Sequence, residues 1–391
     1  MSRLRVVVVG GGIGGLFAAN VLVQRGIEVE VYEQAPALGE IGAGVLLTPN
    51  SVRQLERVGL GPEVERCGAR VGPESRYFRQ DGAFIAPILT TDSRGWNAVF
   101  GMHRADLVAM LAEGLPNGVV RTSHRCSGFE QDAGRARVRF DNGAVAEADV
   151  VIAADGIHSV LQEHVVTPSA PISSGSVAYR GLVPRARIPW WPTGCSLLWM
   201  GERKHFLVYP VRGGELVNYV GFVPTDEQMR ESWSAPGDPA VLAGEFVGWD
   251  PRVEALLAEV GRTFRWGLYD REPLPTWCRG RLALLGDAAH PMLPHLGQGA
   301  NQAIEDGTTL AVMLSRVGEG EAPEALRAYE HVRRERTGAI QRGARENGLR
   351  YDSSYDDLAV RDAEIAASVR FRSWIYDHDA LAAAEQMTVG S

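Results

Sequence analysis

The stretch Arg5-Val-Val-Val-Val-Gly10-Gly-Gly12-Ile-Gly-Gly15 decides the fold. Leu4 to Val9 is a β-branched apolar run of the kind expected in a strand buried on both faces. Leu16 to Gln24 then has helical periodicity with Gly26 as its stop, and Val29, Val31 and Tyr32 read as a second strand. The opening 33 residues are therefore one strand–helix–strand unit. In Gly10-x-Gly12-x-x-Gly15, Gly10 permits the tight turn, Gly12 lets a pyrophosphate approach the backbone, and Gly15 lets helix and strand pack closely. The helix N-terminus supplies unpaired N–H groups and partial positive charge for the phosphates. Glu33, ending the second strand, is placed to accept hydrogen bonds from ribose hydroxyls. Together these predict a dinucleotide site and leave NAD and FAD both open.

Composition narrows the class. The chain has 391 residues, 45% of them hydrophobic, enough for a large core and two or three domains. Its 45 glycines exceed the roughly 27 of an average chain and follow no collagen-like period. Cys67, Cys126, Cys195 and Cys278 are too scattered for a disulfide or zinc framework, which fits a reducing cytoplasm. Lys204 is the single lysine among 40 basic residues, and a net charge of −8 argues against nucleic acid. Val6 to Val23 is uncharged, but its five glycines break any membrane-helix reading.

Further along, Ser51 to Val58 and Ala105 to Glu113 predict helices, and Val119 to Ala154 short strands with a hairpin at Asp141-Asn142-Gly143. From Ser173 to Phe264 the chain is rich in β-branched and aromatic residues, which predicts a separate, mostly antiparallel sheet. Leu282 to Leu285 returns to a buried parallel strand, Gly299 onward is helical, and Tyr329 to Asn347 is the clearest late helix. The expected fold is mixed α/β: a Rossmann-like nucleotide domain over 1–172 and 276–320, an inserted β-sheet substrate domain over 173–275, and a helical region over 321–391.

Two later motifs separate FAD from NAD. The string Arg281-Leu-Ala-Leu-Leu-Gly-Asp287-Ala-Ala-His290-Pro-Met-Leu-Pro294-His295-Leu-Gly-Gln-Gly299-Ala300-Asn301 resembles the second FAD motif of the single-component flavin-dependent aromatic hydroxylases. The resemblance implies that Asp287 binds the ribityl chain and that Gly299, Ala300 and Asn301 lie beside the isoalloxazine, where the helix N-terminus stabilises a reduced ring. Val150-Val-Ile-Ala-Ala-Asp155-Gly156 resembles the family's Asp-Gly motif, serving FAD and the nicotinamide donor, although Leu161 replaces the commoner arginine. Arg104 matches the arginine that reaches the flavin or its pyrophosphate. Gly42-Ala-Gly44-Val45, the His-Pro-x-x-Pro string and the tail Trp374-Ile-Tyr376-Asp-His-Asp379 point to the subgroup of salicylate, 3-hydroxybenzoate and 6-hydroxynicotinate hydroxylases.

Such a protein carries FAD, takes hydride transiently from NADH or NADPH, and uses O2 to hydroxylate a small phenolic aromatic, commonly a carboxylated one, through a flavin hydroperoxide. On the Lys204–Pro210 segment, strand alternation puts His205 and Tyr209 on one face, and the resemblance makes His205 the base that activates the substrate hydroxyl. Pro294 shapes the oxygen site. Tyr179, Arg180 and His295 are candidate substrate contacts, with alternation allowing only one of Tyr179 and Arg180 inward. Trp190, Trp191 and Trp199 read as core or rim, His290 as part of its turn, and Arg333, Arg334 and Arg336 as a solvated helix face. No metal site is expected, nor a membrane or nucleic-acid partner, and a monomer or homodimer is equally compatible. An epoxidase, a tailoring hydroxylase of a larger aromatic and a redox-silent FAD-binding protein stay open. A lysine-dependent halogenase fits poorly with Lys204 alone.

Overall fold

The computed structural model describes residues 4–39, 43–225, 235–352 and 355–387. Val6, Val7 and Val8 of the first strand, Arg5–Val9, have no exposed surface, as a strand covered on both faces requires. This strand pairs in parallel with Glu28–Tyr32 on one side and Val150–Ala153 on the other, and Val150–Ala153 pairs in parallel with Leu282–Leu284. Parallel pairing has a functional consequence. The turns after these strands, at Gly10, at Asp155 and at Gly286-Asp287, emerge side by side at the carboxyl edge, where open α/β sheets bind their ligands. The crossover helix Ile13–Gln24 begins at once after its cap Gly12, three residues earlier than periodicity alone indicated, because Gly14 and Gly15 belong to it. An antiparallel sheet of Cys126–Gln131, Ala136–Phe140 and Val145–Ala148 contains the expected hairpin.

The second large sheet is antiparallel through Thr263–Asp270, Ile172–Pro184, Leu216–Pro224, Lys204–Val211 and Leu197–Gly201. Its far edge comes from much earlier in the chain: Arg76–Arg79 lies parallel to Leu197–Gly201 and carries Phe84–Pro87 beyond it. One face packs Trp191, Trp199, Phe206 and Tyr219 against the helices Pro239–Glu245 and Pro251–Leu257. Trp190 is 48% exposed at the rim. The opposite face, with Arg180, Leu207 and Tyr209, looks toward the nucleotide sheet.

Helix Gly299–Leu314 lies against Ile13–Gln24 and against the long helix Ala322–Asp352. Here one expectation is corrected. Arg333 is fully buried and Arg336 nearly so, and they do not form a solvated face. Arg333 donates to Asp306 at 2.7 Å and to Glu305, and Arg336 donates to Glu305 at 2.9 Å. His290 Nε2 meets Asp306 at 2.5 Å. The carboxylates that arrive on the glycine-started helix draw both guanidiniums inward, and only Arg334 of the run is exposed.

Candidate active site

A cavity of about 290 Å³ opens where the carboxyl edge of the parallel sheet meets the inner face of the second sheet. Gly12, Gly44, Val45, Arg104, Asp287 and Pro294 line it, joined by Gly299 and Ala300 at the start of their helix. Gly10 has φ +113, and a Cβ there would stand 2.2 Å from the Ala154 carbonyl oxygen, so only glycine makes this turn. A Cβ on Gly15 would meet the Gly10 oxygen at 2.1 Å. At Gly12 an added Cβ meets nothing within 4 Å, which leaves an open cradle before the helix N-terminus.

Two orphaned polar atoms mark the same region. Asp155 Oδ1 is buried without a partner while Oδ2 accepts from Val160 N–H at 3.0 Å, and burial raises the carboxyl's pKa. Asn218 accepts from Gly44 N–H at 2.8 Å and leaves its buried Nδ2 unpartnered. Arg104 opens its helix with its N–H on the Ala43 carbonyl at 2.9 Å; burial pushes its pKa down and Asp287 counters this. Arg180 lies over Trp266 at 4.5 Å, and burial together with Arg104 pushes its pKa down to about 10, so it stays cationic. Tyr209 faces Arg180, yet burial raises the phenol's pKa and keeps it neutral. An open phosphate cradle, a cationic wall, an acid for a polyol and a helix N-terminus near Pro294 together fit FAD.

Not every expected cofactor residue meets this cavity. Glu33 accepts from Gly11 N–H and Ala35 N–H, both at 2.7 Å, at the end of its strand, and keeps lone pairs for a ribose. The Asn301 side chain accepts from Thr48 N–H and Ser51 Oγ and donates to the Leu46 and Gly297 carbonyls. These four side-chain bonds tie the Gly44–Leu47 strand to the helix start, so contact with a cofactor falls to its backbone N–H in the first turn of the helix. Gly42 lies outside the described residues.

A second, smaller chamber of about 70 Å³ adjoins the first and shares Leu46, Leu207, Pro294 and Gly297 with it. His295, Tyr77, Tyr351 and Arg372 stand in its wall among apolar side chains such as Ile88, Leu89 and Leu198. Burial, with His205 beside it, pushes the His295 pKa down to about 3, so this imidazole is neutral, and its Nδ1 has no partner. His205 lines neither chamber directly. It is 1% exposed, stacks on Phe222 with ring centroids 4.0 Å apart, and stands 5.2 Å from the His295 ring and 5.1 Å from Tyr351. Its Nδ1 meets Asp352 at 2.5 Å. Of the pair on the neighbouring strand, Arg180 faces the main cavity and Tyr179 packs into the opposite core, which removes Tyr179 from the substrate candidates. Sequence reading missed Asn218, Asp352 and Arg372, since none belongs to a local motif.

A family model described as an FAD binding domain matches residues 3–344. The chain is 39% identical over 389 residues to a 3-amino-4-hydroxybenzoate 2-monooxygenase of Streptomyces platensis, covering 97% of each. It is 36% identical to a 6-hydroxynicotinate 3-monooxygenase of Bordetella bronchiseptica, covering 88% of this chain and 92% of that one. A salicylate hydroxylase solved as a substrate complex superposes with a TM-score of 0.86 at 29% identity, over 100% of this chain and 99% of the other. With the glycine cradle, the Asp-Gly turn and the Asp287 turn converging on one cavity, the chain belongs to the FAD-dependent aromatic monooxygenases, flavoproteins that use NAD(P)H.

Proposed function

We propose that this protein hydroxylates a small hydroxylated aromatic acid, of the salicylate, hydroxybenzoate or aminohydroxybenzoate kind. The observation that carries this is the second chamber, which is small, meets the cofactor cavity at Pro294 and is mainly apolar, with Tyr77, His295, Tyr351 and Arg372 as polar groups in its wall. Its volume of about 70 Å³ suits part of a single substituted ring. FAD, reduced by NAD(P)H, supplies the oxygen-activating chemistry. The chain's part is to hold the ring edge at Pro294 between Leu46 and Leu207, keep water away with these apolar walls, and manage the substrate's hydroxyl proton. His205, paired through Nδ1 with Asp352 and one ring removed from the chamber, is the group we assign to that proton; its Asp352 partner fixes the orientation of the ring. Asp352 is held below the ordinary carboxylate range by His205 against the opposing effect of burial, and so remains anionic.

A panel of salicylate, hydroxybenzoates, aminohydroxybenzoates and hydroxynicotinates tests the reading by NADH and NADPH oxidation, oxygen uptake and product identification. One of these acids should give coupled turnover. If none stimulates oxygen uptake while a larger or uncharged aromatic does, the reading is wrong. His205→Ala should keep its flavin and lose hydroxylation by roughly 100-fold or more, and coupled turnover equal to wild type would remove His205 from the chemistry.

A further inference from the structure

Arg372 lies on the late helix Val369–Asp377 and reaches the wall of the second chamber. Its Nη2 donates to the Tyr351 hydroxyl at 3.0 Å, and that hydroxyl is 3.3 Å from the Tyr77 hydroxyl. Its Nε is buried with no hydrogen-bond partner. Four other inward-turned arginines have a carboxylate: Arg333 has Asp306 and Glu305, Arg336 has Glu305, Arg53 has Asp92 and Arg361 has Asp362, whereas Arg281 is held by the carbonyls of Ala133, Asp149 and Glu319. Among the described residues no carboxylate pairs with Arg372. A guanidinium stays protonated, and one that is half-buried with a buried, unpartnered Nε is suited to an anion.

We propose that Arg372 is the anion-recognition residue of the substrate site, taking the carboxylate of an aromatic acid whose ring lies along Leu207 and Pro294 toward the cofactor cavity. The planar fork of the guanidinium suits a carboxylate, and the Tyr351 and Tyr77 hydroxyls fix its orientation. Arg180, the other cationic candidate, lies over Trp266 in the larger cavity next to Arg104, among the groups that face FAD. The inference rests on the reading that the substrate is an aromatic acid, and goes beyond it by naming the residue that selects the acid.

The test is a titration of the oxidised holoenzyme, followed by the flavin absorbance change, with salicylate, 4-hydroxybenzoate and 3-amino-4-hydroxybenzoate and with the matching phenols that lack the carboxylate. In Arg372→Gln the dissociation constants of the acids should rise about 30-fold or more, while those of the phenols change less than about threefold. Arg372→Lys should restore part of the acid affinity. Acid affinity retained in Arg372→Gln, or equal losses for acids and phenols, would overturn the proposal. If Arg372→Gln fails to hold flavin, Arg372→Lys and Tyr351→Phe decide: acid affinity unchanged in both overturns it, and a loss confined to acids supports it. The two readings fail separately. A wild type that binds phenols as tightly as acids sinks the aromatic-acid reading, whereas a wild type that selects acids through an unaltered Arg372→Gln sinks Arg372 alone.

Discussion

Asn301 and Asp287 stand 14 positions apart in one motif, yet they serve different ends. Asp287 lines the cavity beside Arg104, whereas the Asn301 side chain spends its donors and acceptors on the protein. Asp287→Ala should therefore give folded protein that purifies colourless, and retained flavin at wild-type stoichiometry would refute its assignment. Asn301→Leu removes four hydrogen bonds and should cost about 1–3 kcal/mol of stability, read as a lower urea midpoint, before any effect on chemistry. Motif strings made the backbone turns and their glycines legible because those depend on local geometry. They could not say which polar side chain in the string faces ligand, because that depends on what the partner strand Gly44–Leu47 offers. Asp352 and Arg372 were illegible for a related reason. Each becomes functional through a residue more than 20 positions away, His205 in one case and Tyr351 in the other.

Among the elements, the helices Gly299–Leu314 and Ala322–Asp352 show how charge can reverse a surface reading. A run of arginines on a late helix normally faces water, but Glu305 and Asp306 on the facing helix have no exposed side-chain surface and need cations. Burial raises both carboxyl pKa values, and the neighbouring arginines and histidines outweigh it, so the carboxylates remain ionised. Removing one member of such a set strands the others. Arg333→Met should cost about 3–5 kcal/mol, whereas Arg334→Met on the exposed side should cost well under 1 kcal/mol, about the worth of a surface ion pair. Thermal or urea unfolding of the two variants side by side checks this, and equal losses would contradict the buried assignment. The Arg76–Arg79 and Phe84–Pro87 strands were missed although they pair with each other as sequence neighbours, and their place at the edge of the second sheet rests on the parallel pairing of Arg76–Arg79 with a strand some 120 positions later, which no local pattern encodes.

For the molecule as a whole, buried imidazoles set how stability responds to acid. Burial holds His295 down to about 3 and His378 down to about 4, the latter even with Glu305 Oε2 3.5 Å away. Both would titrate near 6.5 in the unfolded chain. The unfolded state therefore takes up protons first, and the contribution of these groups is complete above about pH 6.5 and lost as pH falls toward 4 and then 3. Glu305 and Asp306, depressed in the fold, lose their contribution in the same direction at lower pH. Urea midpoints should fall between about pH 7.5 and pH 5, and His378→Gln should flatten part of the slope; a level profile over that range would refute the buried-neutral assignment. The order of the two chambers along the chain has a different kind of consequence. The cofactor cavity is complete by Ala303, while the smaller chamber closes only with Tyr351, Arg372 and Tyr376. Mutation in that last stretch can thus change which molecule is oxidised without altering a single residue lining the flavin cavity, so descendants of this chain can acquire new diets while inheriting the same oxidant.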